Sequence, residues 1–182
     1  MKYIKITAIS LFLFLLFFVI GTVASVGQYP KSEFDRIAQR NIDFNGGAWI
    51  LGHKQKIIDS DFKTIVKPAV DFLYSFATLD ASAGAYVLSI PPIDRYFVFQ
   101  FMEDDTDVFN YIGSRTHGKN KALNILLTPP NYKGETHGLE TLELKTEMVW
   151  LLARFQLLNK EDAPNVHAIQ NQVKFTPIKD WK

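Results

Sequence analysis

The sequence predicts a mainly β (α+β) domain, an antiparallel β-sandwich or partly closed barrel with one or two short helices, preceded by an N-terminal transmembrane helix. Three observations carry that expectation. From Ile6 to Val26 the chain is uncharged and dominated by Leu, Phe and Ile, a run of 21 residues, and a helix rising about 1.5 Å per residue needs roughly 20 to cross a bilayer core. After Gly46-Gly47 the apolar pattern switches to period two in a series of short segments rich in Phe, Tyr, Val, Ile and Leu. These segments follow one another across turn residues without helices between them, which favours antiparallel pairing over βαβ units.

Lys2 and Lys5, ahead of the apolar run, favour a cytoplasmic N-terminus and send everything after Val26 to the other side. The expected location is the inner, cytoplasmic membrane as a single-pass protein, with the C-terminal domain outside the cytoplasm. A cleavable signal peptide has the same basic head, apolar centre and small residues, here Thr22 and Ala24, and would leave the domain periplasmic. The uncleaved anchor is preferred, because the densest run, Leu11 to Ile20, lies inside a longer uncharged span and Thr22 with Ala24 makes a poor A-x-A. A core helix of a cytosolic protein would keep a polar stripe, which is not visible here. The expected organisation is an anchor over 1–26, a helix and linker region over 27–63, and a β domain over 64–182.

Composition narrows the function. Twenty Lys and Arg face nineteen Asp and Glu, and the chain has no Cys. Disulfide-stapled domains, Cys-based zinc sites, thiol enzymes, iron–sulfur proteins and lipid-modified lipoproteins all need the missing sulfur. Only Lys2 and Lys5 precede Val26, while all nineteen acids follow it, so the remainder holds eighteen positive charges against nineteen negative. That balance gives no electrostatic footprint for nucleic acid.

Along the exported part, Ser32 with Asp35 resembles a capping box opening a helix whose Phe34, Ile37, Asn41 and Phe44 share one face, and Gly46-Gly47 ends it. Strands are then expected over 48–51, 63–66, 72–79, 85–90, 95–102, 107–112, 122–128, 139–144 and 148–155. They are punctuated by Ser82-Ala83-Gly84, Pro91-Pro92, Pro129-Pro130-Asn131 and Lys133-Gly134. Glu161-Asp162 leads into a second helix with Pro164 in its first turn and Val166, Ile169, Gln170 and Val173 on one face. Residues 173–178 read as a last short strand.

Several groups have the chemistry of a site. Glu103, Asp104, Asp105 and Asp107 put four carboxylates in five positions, which a hard cation would favour, but the spacing is not that of an EF-hand and a solvated turn is the preferred reading. No cofactor is expected. The histidines His53, His117, His137 and His167 have no metal-ligand spacing, Gly113 to Lys119 lacks the phosphate-loop frame, and no Ser stands in a nucleophile elbow. The stronger polar set is Asp71, Tyr74, Arg95, Tyr96, Arg115, Thr116, Trp150 and Arg154, a candidate pocket drawn from strands otherwise filled with apolar residues. Arg95 and Arg154 are costly to bury unpaired, so ion pairs with Asp71, Asp80 or Asp94 are the simpler expectation.

The stretch from Asp71 to Gly118, followed by MVWLLARF and EDAPNVHAIQNQVKFTPI, resembles the bacterial domain of unknown function 1254 (DUF1254). The matching positions are Asp71, Leu73, Tyr74 and Ser75; Asp94, Arg95 and Tyr96; Thr106, Val108 and Phe109; Gly113, Arg115, Thr116 and Gly118; Trp150 and Arg154; and Glu161, Asp162 and Gln170. Ala69, Phe72, Glu103 and Asp107 depart from the family pattern, so its most polar motif lacks an Asn and a Thr. The resemblance covers about residues 64–178 and implies a β domain usually followed by a second one, of the DUF1214 type, for which the sequence to Lys182 leaves no room. A companion DUF1214-like β-domain protein is therefore the expected partner, besides the membrane. The leading expectation is a non-enzymatic, membrane-anchored envelope domain for binding or assembly. The alternative is an envelope hydrolase or other small-molecule enzyme with a pocket around Asp71, Tyr74, Arg95 and Arg115.

Overall fold

No charge interrupts the chain between Lys5 and Lys31, and in the computed structural model, which describes residues 2–57 and 69–182, the first 44 of these form one helix, α1 (Lys2–Asn45). It passes through Pro30, although a proline has no N–H for the turn before it. The expected capping box does not form. Ser32 is already inside the helix, and its hydroxyl donates back to the Tyr29 carbonyl at 2.9 Å instead of receiving a first-turn N–H. The side chains from Leu11 to Ile20 are all exposed, whereas Phe34, Ala38 and Asn41 are buried. The buried stripe differs from the expected one in two members: Ala38 is buried where Ile37 is only half-buried, and Phe44 is 61% exposed and lays its ring beside Phe76, with the Lys54 ammonium 4.6 Å above it.

The N–H groups of Gly46 and Gly47 both donate to the Ile42 carbonyl and close α1. Residues 48–51, expected as a strand, form a turn, because Trp49 takes a φ of 60° that no strand allows. Tertiary contacts hold it there: its N–H donates to the Thr78 carbonyl, its indole N–H to the Asp80 carbonyl at 2.8 Å, and its ring stacks on Tyr86. The strands are β1 (Gly52–Lys54), β2 (Phe72–Asp80), β3 (Tyr86–Ile90), β4 (Phe97–Met102), β5 (Val108–Gly113), β6 (Leu123–Thr128), β7 (Glu140–Glu143), β8 (Met148–Gln156) and β9 (Lys174–Pro177), with helix α2 (Ala163–Gln170) before the last. The expected strand over 63–66 lies outside the described residues.

Two sheets result, in the orders β1-β2-β8-β4-β5 and β7-β6-β3-β9, giving a mainly β, sandwich-like fold. The first is antiparallel throughout, but β7 runs parallel to β6, which corrects the expectation of antiparallel pairing alone. A parallel neighbour needs a crossover, and residues 129–139 supply it. This loop crosses the outside of the second sheet, where Tyr132 and Leu139, joined by Ile178 and Trp181, cover Ala85, Val87 and Leu126.

Period two sorts the first sheet cleanly. Leu73, Ala77, Leu79, Phe97, Phe99, Phe101, Val149, Leu151, Ala153 and Phe155 point inward and join Leu88, Ile90, Leu123, Ile125 and Leu127 in one core. Phe99 meets Phe155 edge to face at 5.6 Å. On the outer face, cross-strand rows run Lys54–Tyr74–Arg154–Val98–Gly113, then Gly52–Phe76–Leu152–Gln100–Tyr111, then Thr78–Trp150–Met102–Val108. The second half of α1 lies over β2 and β8 on this face. Thr78 donates to the Ala38 carbonyl at 3.1 Å, Lys31 reaches Asp104 at 3.1 Å, and Asn45 donates to the carbonyls of Ile50 and Phe76. Gly52 is required by this docking, since a Cβ there would stand 1.9 Å from Asn45 Oδ1.

The helix α2 is seated by polar bonds. Asn159 accepts the Asp162 N–H, and the Asp162 carboxylate takes the Leu158 N–H, the Asn165 amide and the Arg95 guanidinium. At the other end Gln170 donates to Ser75 Oγ at 2.9 Å and to the Tyr74 carbonyl. Burial pushes the Asp162 carboxyl up, but the bonds from Asn165, Leu158 and Arg95 outweigh it and hold it below the ordinary carboxylate range.

Two outcomes follow from this packing. Arg95→Ala, which strands Asp162 behind an 8%-exposed surface, should cost about 3 kcal/mol in denaturant unfolding, while Arg95→Met with Asp162→Leu should recover much of that loss. Because the folded pKa of Asp162 is depressed, its contribution is complete above the unfolded carboxylate value near 3.8 and disappears as pH falls through the lower folded value, so acid titration of wild type should show a loss of stability below about pH 4 that Asp162→Asn lacks. Phe34→Ala should cost about 3 kcal/mol, and hydrogen exchange should then rise over residues 34–45 ahead of the strands.

Candidate functional site

With α1 over β2 and β8 and the 129–139 loop over the second sheet, one part of the first sheet's outer face stays open. A depression of about 350 Å³ lies there, lined by Tyr96, Phe97, Val98, Gln100, Tyr111, Gly113, Arg115, Thr116 and Arg154. The row Arg154–Val98–Gly113 forms its floor. Arg154 rises from the centre of the sheet and donates to Gln100 Oε1 at 3.4 Å, a long bond that leaves most of its donors free for another acceptor.

Arg115 reaches the same depression from the turn after β5. At Gly113 that strand comes so close to β4 that a Cβ would stand 2.4 Å from the Phe97 carbonyl oxygen. The turn is then fixed by short bonds: Thr116 Oγ1 accepts the Gly113 N–H at 3.0 Å, and the Gly113 carbonyl accepts the N–H groups of Thr116 and His117. His117 bridges the Thr116 hydroxyl to Glu140 of β7, so the turn is tied to the second sheet as well. Arg115 thus projects from a rigid base, with its guanidinium 5.4 Å from the centre of the Tyr96 ring. Among the described residues no carboxylate forms a salt bridge with Arg115 or Arg154.

The eight residues singled out by sequence separate into groups. Tyr96, Arg115, Thr116 and Arg154 meet in the depression. Tyr74 is the cross-strand partner of Arg154, one strand away from the floor. Asp71 is exposed at the start of β2, where its carbonyl accepts the Leu157 N–H. Arg95 is committed to Asp94 and Asp162, matching the ion-pair expectation for Asp94, whereas Arg154 meets an amide instead of a carboxylate. Trp150 sits in the row with Thr78 and Met102, and its buried indole N–H has no partner among the described residues. Gln100 and Tyr111 were missed; each faces outward in a period-two strand, and only the pairing register places them beside Arg154.

Two other constellations have a catalytic look and a structural explanation. His53 Nδ1 lies 2.8 Å from Ser75 Oγ, a separation suited to a base and a nucleophile. Ser75 is nevertheless fully buried on the inner side of β2, where it also binds Gln170. Burial, together with the charge of His167, holds His53 below the ordinary histidine value, as a neutral internal acceptor or donor. The acidic run Glu103, Asp104, Asp105 and Asp107 makes the β4–β5 hairpin turn, in which Asp105 accepts the Asp107 N–H and Asp104 pairs with Lys31. Among the described residues no three Asp, Glu or His side chains gather as a metal-holding group.

The fold recurs in a solved structure. The VPA0106 protein from Vibrio parahaemolyticus superposes with a TM-score of 0.66 at 19% identity, over 85% of this chain and 36% of that one. An uncharacterised protein from Burkholderia cenocepacia aligns at 17% identity with a TM-score of 0.48, over 86% of this chain and 42% of that one. The chain thus spans well under half the length of either. No curated protein matches it. The motif residues found by sequence are the ones that seat α2 (Ser75, Arg95, Asp162, Gln170) and build the Gly113–Thr116 turn, and the family model describing a protein of unknown function, DUF1254, matches residues 50–177: the chain belongs to the DUF1254 family.

Proposed function

We propose that the protein is a membrane-anchored binding domain of the cell envelope, held against the outer surface of the inner membrane and working beside a second β domain. The continuity of α1 carries this reading. Its 21 uncharged residues span about 31 Å as a helix, the thickness of a bilayer core. The same helix, without a break, packs one face against the β domain from Phe34 onward. Only about 12 Å of helix separates Val26 from Phe34, so the sheets would stand directly above the headgroups instead of trailing on a linker.

The partner half of the reading is supported by the relatives. In the Vibrio protein the matched fold is about a third of the chain, so this domain occurs there alongside further polypeptide. The first sheet ends on β5 and the second on β7, and each presents a free strand edge among the described residues. A binding role is favoured over catalysis by the contents of the open depression, which among the described residues gathers cations, phenols and an amide but no carboxylate or imidazole.

Full-length protein in its native membranes should stay in the pellet through alkaline carbonate extraction, keep its first 26 residues by intact mass, and be digested by protease added to spheroplasts. Leu15→Arg with Phe17→Arg should release it. A mature chain that starts beyond residue 26 and extracts freely would identify the segment as a signal peptide and remove the anchor. Purification of the anchored chain in mild detergent should bring down a second β-domain polypeptide in fixed ratio, and recovery of monomer alone would remove the assembly.

A further inference from the structure

Arginine is the side chain best shaped to hold an oxyanion, because its planar donors match a carboxylate or phosphate edge. In this domain the buried guanidinium of Arg95 is neutralised by two carboxylates, and Arg36 on α1 pairs with Glu33. Arg115 and Arg154 differ: they flank one concavity, and their described partners there are an aromatic face and a distant amide oxygen. Arg154 and Gly113 are two strand spacings apart, about 10 Å, which two extended arginine side chains can close on a group between them. The Gly113–Thr116 turn fixes Arg115 before any ligand arrives, so less freedom is lost on binding.

We infer that this depression binds an organic oxyanion, a carboxylate or phosphate held by Arg115 and Arg154, whose ring or sugar body rests against Tyr96 and the half-exposed Tyr111. Such a ligand combines a charge for the guanidinium pair with a flat face for the phenols. This rests on the binding role proposed above and names its ligand class.

The anion could come from the aqueous phase or from a lipid headgroup, and the fold favours the first. The helix enters the outer face at the β4–β5 turn, where Lys31 meets Asp104, and advances to Thr78 and then Phe76. The membrane therefore lies beyond the Met102 end of the sheet. The floor of the depression is at Val98, four residues away along β4 and about 13 Å further from the bilayer.

The test uses the full chain in phosphatidylcholine nanodiscs, with phenyl phosphate, benzoate and the neutral isostere benzamide titrated by calorimetry. Both anions should bind and benzamide should not. Arg115→Ala, at an exposed position, and Arg154→Gln should each weaken phenyl phosphate by about tenfold or more, with folding confirmed by circular dichroism. Tyr111→Ala should weaken phenyl phosphate while leaving inorganic phosphate unchanged. Absence of anion binding at millimolar concentration, equal binding of benzamide, or full affinity in Arg115→Ala would overturn the inference. So would phosphatidylglycerol in the discs if it displaced phenyl phosphate from wild type, since the anion would then be a headgroup. Carbonate extraction of the same chain reads the anchor separately, so lost anion binding in a retained protein refutes the ligand and not the anchor.

Discussion

The docking of α1 on the first sheet is the contact on which the remaining architecture depends. In the proposed anchored form one long helix meets two environments, hydrocarbon along its first half and a β-sheet along its second. Phe34 and Ala38 supply the apolar contact with the sheet, and a bond from Thr78 to the Ala38 carbonyl sets the rotation of the helix about its axis. The fit is not fully dry chemistry. Asn41 Nδ2, Asn45 Oδ1 and Trp150 Nε1 are buried without partners among the described residues, and each such group gives back about 1–3 kcal/mol of what the apolar contacts contribute. The interface is therefore held by a few apolar side chains and by the geometry of Asn45 against Gly52, with less margin than the core between the sheets.

Placing the helix there also decides which surface is left for binding. Two broad faces of a two-sheet domain need cover. The crossover loop and residues Ile178 and Trp181 cover one, and α1 covers the β2–β8 part of the other. What remains open is the strip containing Arg154, Gln100 and Tyr111. Two arginines divide accordingly: Arg95, paired with Asp94 and Asp162, holds α2 inside, and Arg154, whose bond is to the Gln100 amide oxygen, faces the open strip. Arg95 and Arg154 stand in comparable sequence settings but serve these two different ends.

Most of the β pattern was legible because period two is a local signal that burial enforces on both faces of a strand. The strands from β2 to β6 and β8 therefore stand within a residue or two of their expected places. The misses have non-local causes. Trp49 looked like a strand residue, and it is a turn residue because Thr78 and Asp80, some thirty positions away, hold its N–H groups. Ser32 looked like a cap, but the apolar run before it carries the helix straight through. The parallel β6–β7 pair depends on where a long loop travels, which local composition does not encode. For the depression, the residue types of Arg115, Thr116 and Arg154 were visible, and their convergence was not, because it is set by the register between β4, β5 and β8. Asp71 and Arg95 had equally suitable chemistry and were placed elsewhere by that same register.

The pairing of β2 with β8 joins Phe72 to Gln156, and the surface that receives α1 is made from these two strands. A ribosome synthesises the chain from the N-terminus, so an α1 that spans the bilayer, as proposed, would insert its apolar half long before residue 156 exists. Until then Phe34, Ala38 and Phe44 have no complete sheet to lie on. Assembly of the first sheet thus ends with its last-made strand closing under a helix that was made first and that, in the anchored form, is already tethered. That order makes the interval before β8 emerges the time at which this protein is most exposed to misassociation with its neighbours.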